Sequence, residues 1–208
     1  MNPHSNEPLP PQFMGTLAFL PPHAHGNRSL TWWGMMGIVA IESTAFVLAV
    51  ATYFYLATHS RVWPPHEARP DLFAGTLFTI VVVLSGVPNY WLKRAAEAEK
   101  LRQVRIGLVV MSVAAIVLLP IRYYEFVGLH VAWSDSAYGS ITVTLLGLHT
   151  VHLITDLYDT LVLTALMFTK HAKGRRFVDT AENALYWNFV ILAWLPIYAV
   201  IYFAPRLL

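Results

Sequence analysis

Five long stretches of the sequence carry almost no charge, and they constrain the fold more than any other feature. They cover about residues 32–57, 72–92, 105–128, 138–169 and 182–204. At a rise of about 1.5 Å per residue, about 20 residues cross the roughly 30 Å hydrocarbon core of a membrane. Lipid offers no partner for backbone N–H and C=O groups, so each crossing is expected to be helical. The sequence therefore predicts an all-α integral membrane bundle of five transmembrane helices over residues 31–208.

The composition narrows the class of protein further. Of the 208 residues, 56% are hydrophobic and 12% are charged, about half the charge of an ordinary soluble domain. The net charge of +2 argues against a nucleic-acid partner. Because the sequence contains no cysteine, thiolate-held clusters are excluded, and any metal would need histidine or carboxylate ligands.

The basic residues predict the orientation of the chain in the membrane. Residues 1–30 contain four prolines among the first eleven positions and lack the pattern of a cleaved signal peptide. We interpret them as an extended arm. With five crossings, this arm and the loops 93–105 and 170–176 share one side and hold ten of the fourteen Lys and Arg residues. The positive-inside tendency then predicts a cytoplasmic amino terminus and an external carboxyl terminus.

Glu42 is a carboxylic acid in the middle of the first span. It lies ten residues, or about 15 Å, past the start of the span, where an unpaired carboxylate is unfavourable by several kcal/mol. Two interpretations remain open at this point. Glu42 is either a neutral acid hydrogen-bonded to a neighbouring helix, or a proton-handling or partner-contacting site.

Four polar residues share one face of the fourth span. His149, His152, Asp156 and Asp159 fall within an arc of about 80° at 100° per residue. We predict that this face forms a polar seam against another helix or a second subunit. Metal or haem ligation is the alternative. One face of one helix offers no tetrahedral set, however, and a haem with two histidine ligands needs them on opposite faces of its ring.

Two further features belong to the third and fifth spans. Arg122 and Glu125 are three residues apart and are predicted to form an ion pair near the outer interface. Tyr186, Trp187 and Trp194 are predicted to be interface anchors or packing residues.

Several short motifs follow one another along the sequence. They are Trp33-Gly34 followed by Glu42, Tyr53-Phe54-Tyr55, Trp63-Pro64-Pro65, Glu125, Tyr138-Gly139-Ser140, Gly147-Leu148-His149-Thr150-Val151-His152, Tyr186-Trp187-Asn188-Phe189-Val190 and Trp194-Leu195. In this order they resemble cytochrome c oxidase subunit III, and the resemblance extends from Trp32 to the end of the sequence.

The resemblance implies a non-catalytic subunit of a respiratory oxidase in a prokaryotic plasma membrane. Such a subunit carries no cofactor of its own, lies beside the catalytic subunit I with subunit II and others, and holds structural phospholipid. Haem and copper belong to the partner subunits, and cytochrome c binds the complex and not this chain. In the family, the glutamate matching Glu42 is a membrane-buried carboxyl, and the subunit supports proton uptake and protects the enzyme during turnover.

The sequence also departs from the family pattern. Seven-helix members have two further helices before the first span, so the chain looks like the five-helix bacterial form. Family members often have histidine and aspartate where Asn188 and Ile191 stand, and no role is carried to these positions. A quinol oxidase subunit III and a nitric oxide reductase accessory protein remain alternatives, as do a haem b electron carrier and a small proton-coupled transporter from other classes.

Overall fold

The computed structural model describes residues 30–64, 69–169 and 174–207. The membrane-spanning helices are α1 (Leu30–His59), α2 (Leu72–Glu97), α3 (Leu101–Val127), α4 (Ala137–Met167) and α5 (Gly174–Tyr198). After α5, a π-helical turn (Ala199–Phe203) leads into α6 (Ala204–Leu207) without a break. All five spans are long and apolar enough to cross a membrane, which confirms the predicted all-α bundle of five transmembrane helices.

The helices extend beyond the apolar stretches that predicted them. Helix α2 continues to Glu97 where the sequence predicted an end near residue 92, and α5 begins at Gly174 instead of 182. The third span runs through Arg122 and Glu125 as expected. The thickness of the membrane limits the apolar length of a span, but charged residues still form helical turns outside the hydrocarbon core. Residues 1–29 of the predicted arm lie outside the described part of the chain. The division into an arm (1–30) and a membrane domain (31–208) stays a prediction.

Helix α1 lies at the edge of the bundle. It packs on α4 and α5, whereas α2 packs on both α3 and α5, and α4 also contacts both of these. In its most apolar stretch only 6% of the residues are buried, against 50% in α4. Phe46 and Tyr53 are the buried hydrophobic residues of α1. Most of the α1 surface therefore faces lipid or another protein chain.

Polar groups join α2 to α5 along most of their length. Four hydrogen-bonded contacts connect Thr76 with Tyr198 (2.8 Å), Thr79 with Trp194 (2.8 Å), Ser85 with Trp187 (2.9 Å) and Asn89 with the carbonyl oxygen of Ala184 (2.7 Å). Each tryptophan donates its indole N–H to a hydroxyl of α2. Since Trp187 and Trp194 are buried, they are packing residues and not interface anchors. Apolar attraction between helices is weak in lipid, so such contacts are expected at the interface.

Helix α2 and the π-helical turn approach each other most closely at Gly75. A Cβ atom at this position would overlap the phenol ring of Tyr202. The missing side chain therefore makes room for that ring, whose hydroxyl donates a hydrogen bond to Glu125 on α3.

Replacing Gly75 should disturb this close contact. We expect Gly75→Ala to lower the free energy of unfolding by about 1–3 kcal/mol, because Tyr202 must shift to accommodate the methyl group. Gly86→Ala is the matched control on the same helix. Its Cβ atom would lie 3.4 Å from Ile191 Cδ1, an ordinary contact. Thermal or denaturant unfolding in detergent measures both variants, and equal stability of the two would contradict this account of Gly75.

Candidate functional site

The ionisable and polar residues inside the spans form two separate clusters. We call the first the Arg122 cluster; it comprises Arg122, Glu125, His149 and Tyr202. We call the second the Glu42 cluster; it comprises Glu42, His152, Asp156 and Tyr186. Each cluster joins at least three helices.

Arg122 is the centre of the first cluster. Its Nη1 atom lies 2.6 Å from Glu125 Oε2, and its Nη2 atom donates to His149 Nδ1 at 2.8 Å. Glu125 Oε1 accepts a hydrogen bond from the Tyr202 hydroxyl at 2.7 Å. The predicted Arg122–Glu125 pair is therefore present. Arg122 and Glu125 are 1% and 0% exposed, so the pair is enclosed by the bundle. Its predicted depth near the outer interface of the membrane stays a prediction.

Two aromatic rings, themselves in edge-to-face contact, pack against the Arg122 guanidinium. The Cζ atom lies 3.6 Å from the centre of the Phe78 ring and 4.2 Å from that of Trp194. A cation placed against aromatic faces away from water gains about 2 kcal/mol or more. These rings replace part of the hydration that Arg122 loses on burial.

The contacts of His149 fix its tautomer. Arg122 can only donate, so His149 Nδ1 is an acceptor. Nε2 lies 3.0 Å from the carbonyl oxygen of Val190, which can only accept, so Nε2 carries the proton. Both ring nitrogens are thus occupied in the neutral imidazole. His149 is a connecting residue between three helices, and it has no lone pair free for a metal or haem iron.

Glu42 meets two partners from other helices. The Tyr186 hydroxyl donates to Glu42 Oε2 at 2.8 Å, and His152 Nε2 lies 3.6 Å from the same oxygen. The carboxyl group is thus hydrogen-bonded to a neighbouring helix, as one of the two interpretations of Glu42 requires. Its side chain remains 25% exposed, against 9% for His152.

Glu42 and His152 face each other across 3.6 Å, a gap longer than a hydrogen bond. His152 Nδ1 lies 2.6 Å from the carbonyl oxygen of Leu148 and therefore donates to it. In the neutral imidazole, the lone pair of Nε2 then points towards Glu42. A shift of about 1 Å in either side chain would bring the two atoms into hydrogen-bonding distance.

A cleft of about 230 Å³ gives access to Glu42 between α1, α4 and α5. Its polar lining comes from Glu42, Thr155, Asp159, Asn183 and Tyr186. Asp159 is exposed in this cleft. Asp159 therefore does not pack against another helix of this chain, and the second subunit that was the other predicted neighbour of this polar face stays a prediction.

Asp156 lies behind this cleft and is 1% exposed. The Thr160 hydroxyl is 3.5 Å from Asp156 Oδ2, and Asn183 Nδ2 donates to Thr160 Oγ1 at 2.9 Å. The predicted seam of α4 thus contains His149, His152 and Asp156, which face protein. Its two histidines belong to different clusters, and the described residues contain no group of three potential ligands that could hold a metal ion.

Sequence reasoning missed the two tyrosines that complete the clusters. Tyr186 and Tyr202 lie 144 and 77 positions along the chain from the carboxyl groups that they contact. Helical periodicity relates residues within one helix and gives no information about the register between helices. Two buried carboxyl groups do signal that donors must lie nearby, but not which residues supply them.

The fold and the two clusters define an integral membrane helix bundle whose intramembrane ionisable groups are mostly bonded to one another. The sequence profile of the family described as Cytochrome c oxidase subunit III matches residues 18–205. The chain belongs to this family, which confirms the resemblance noted in its motifs.

Known proteins named cytochrome c oxidase subunit 3 are similar to the chain. The protein of Thermostichus vulcanus is 21% identical over 187 residues, which cover 88% of this chain and 92% of the relative. That of Spodoptera frugiperda is 27% identical over 143 residues, covering 68% and 97%. That of Schizophyllum commune is 27% identical over 184 residues, covering 82% of this chain and 66% of the relative.

A double-mutant cycle tests the Arg122 cluster. Arg122→Met leaves the Glu125 charge buried, and Glu125→Gln leaves that of Arg122 buried, so each should lower the free energy of unfolding by about 3–5 kcal/mol. The double variant should lose clearly less than the sum, because neither charge remains.

The matched control is the pair Arg176 and Asp179. It has the same i, i+3 spacing and an Nη1–Oδ2 distance of 2.9 Å, but its side chains are 37% and 23% exposed. Arg176→Met and Asp179→Asn should each change stability by less than about 1 kcal/mol. Reversible unfolding in mixed micelles measures the free energy of unfolding of all variants. Similar losses of stability at both pairs would contradict the conclusion that burial makes the Arg122–Glu125 pair important.

Proposed function

We propose that the chain is the non-catalytic subunit III of an aerobic respiratory haem-copper oxidase. The complex would oxidise cytochrome c, reduce oxygen to water and translocate protons, with subunits I and II carrying the redox centres. Family membership over residues 18–205 carries this proposal. The names of the relatives favour cytochrome c over quinol as the electron donor.

The geometry of the histidines supports a chain without its own redox centre. Both ring nitrogens of His149 are occupied by Arg122 and Val190, and His152 faces Glu42 and Leu148. A haem b electron carrier would need an imidazole nitrogen free to bind iron. This geometry counts against haem ligation by His149, and the Nε2 lone pair of His152 faces a carboxyl group. We assign redox chemistry to the partner subunits on the family membership of the chain.

A supporting role in proton uptake fits the Glu42 cluster. Glu42 and His152 can hold one proton between them, and the cleft connects this pair with the exposed carboxyl group of Asp159. Both carboxyl groups lie in the half of the bundle nearer the two basic loops. By the positive-inside tendency this half is cytoplasmic, the side from which a proton-translocating oxidase takes up protons.

Stabilisation of the catalytic subunit and binding of phospholipid are further parts of the proposal. They are supported by the large apolar surface of α1, where Ile41, Val47 and Leu48 are exposed. A prokaryotic plasma membrane, with the amino terminus in the cytoplasm and the carboxyl terminus outside, completes the proposed setting.

Copurification tests the assembly. The tagged chain, extracted in mild detergent from its own membrane, should bring with it a haem-bearing subunit I and a copper-bearing subunit II. Absorption spectra and mass spectrometry identify both, and the identity of subunit II establishes the donor. A colourless, monodisperse chain recovered alone would contradict the proposal and favour an independent transporter.

Substitution of Glu42 tests the proton role separately. In the purified complex, Glu42→Gln should leave subunit content unchanged, because the amide still accepts the hydrogen bond of Tyr186. The substitution should slow proton uptake by the complex or shorten the active lifetime of the complex during turnover, because the amide cannot take up a proton as the carboxyl group can. Glu97→Gln, an exposed carboxyl at the end of α2, is the control. Unchanged uptake and inactivation kinetics in Glu42→Gln would remove the proton role while leaving the assembly intact.

A further inference from the structure

A groove with a basic end lies where α3 begins and α4 ends. We call it the basic groove; its lining residues are Leu101, Arg102, Arg105, Ile106, Val109, Val110 and Phe168. It encloses about 570 Å³. The two arginines stand at one end, and the apolar side chains continue from them along α3.

Arg105 is held in position by α4. Its Nε atom donates to the carbonyl oxygen of Met167 at 2.8 Å, and its Cζ atom lies 5.2 Å from the centre of the Phe168 ring. Among the described residues, neither terminal nitrogen of this guanidinium forms a hydrogen bond, so both can bind a ligand. Arg102 is exposed, and within the described ranges neither arginine forms an ion pair with a carboxylate.

The two arginines lie at the level of the lipid headgroups. Helix α3 has 27 residues and is about 40 Å long, whereas the hydrocarbon core is roughly 30 Å thick. Because Arg102 and Arg105 are charged and stand at the start of α3, we place part of this excess length at that end, outside the hydrocarbon core. Ile106, Val109 and Val110 follow within it, at the spacing of one helical face.

The beginning of α3 has more positive charge than a helix start favours. The free N–H groups of a first turn carry positive partial charge, and Lys100 provides no side-chain cap for them. Arg102 and Arg105 add two full positive charges at this position. An anion bound between them would offset this unfavourable arrangement.

A second groove of similar size provides a comparison within the same chain. It encloses about 490 Å³ at the opposite end of α3 and is lined by Phe73, Leu77 and Tyr124, with Asp71 and His130 as its ionisable groups. It offers an acyl chain a similar apolar surface without a guanidinium. Of these two grooves, the basic groove is the one that combines a cationic end with an apolar channel in the order of headgroup and chain.

We propose that the basic groove binds one anionic phospholipid. The phosphate group lies between Arg102 and Arg105, and an acyl chain follows Ile106, Val109 and Val110 towards the middle of the membrane. The proposal concerns the chain itself and does not depend on its assembly into an oxidase.

Native mass spectrometry of the purified full-length chain in a non-ionic detergent tests this site. The chain is titrated with phosphatidylglycerol and with phosphatidylcholine of the same acyl composition. We expect tighter binding of phosphatidylglycerol. Each of Arg102→Gln and Arg105→Gln should weaken its binding about fivefold, since each basic residue near a membrane surface contributes about 1 kcal/mol. Binding of phosphatidylcholine should change much less.

Arg94→Gln is the matched control. Arg94 stands at the same end of the bundle, and its substitution removes the same charge. It contacts Tyr90, however, and lies outside the groove. Arg102 forms no hydrogen bond within the described residues, so Arg102→Gln tests the site without disturbing the packing that Arg105 provides. Equal affinity for the two lipids, or equal losses in Arg94→Gln and Arg102→Gln, would overturn the proposal in favour of unspecific attraction.

Discussion

The burial of Arg122 is the constraint to which the centre of the bundle is adapted. A guanidinium cannot give up its proton inside a protein, and its charge is strongly unfavourable within a membrane unless other groups surround it. Glu125 supplies the countercharge, His149 accepts a hydrogen bond, and the Phe78 and Trp194 rings pack against the guanidinium. Residues from four helices thus converge on one side chain. The positions of α2, α4 and α5 relative to α3 are coupled through these contacts.

The apolar surroundings of the membrane also explain the interface between α2 and α5. Lipid is as apolar as the leucine and valine side chains of the helices, so apolar burial alone contributes little to their association. The indole N–H groups of Trp187 and Trp194 each find a hydroxyl on α2. Gly75 has no side chain, and this allows the Tyr202 ring to pack against α2. Hydrogen bonds and close packing therefore position these helices.

The sequence predicted the features that depend on one helix at a time. The five spans follow from apolar length against membrane thickness, and the burial of His149, His152 and Asp156 follows from their common face. Asp159 shares that face but is exposed in the cleft, because periodicity places a residue on a face without indicating whether a helix of the same chain covers it. The pairing of Glu42 with Tyr186 was also beyond the sequence. It depends on the register between α1 and α5, which is set by packing throughout the bundle.

The two clusters differ in how tightly their members are bonded and in how far they are exposed. In the Arg122 cluster, the direct contacts are 2.6–2.8 Å long and the charges are closed off from lipid and water. Moving a proton there would leave a buried charge without its partner, so this cluster suits a permanent link. In the Glu42 cluster, the carboxyl group is partly exposed and the imidazole is 3.6 Å away. A proton can enter or leave that pair with only a small side-chain movement. Intramembrane charge alone therefore does not separate the two acids; the openness of its surroundings makes Glu42, and not Glu125, the candidate for the proposed proton role.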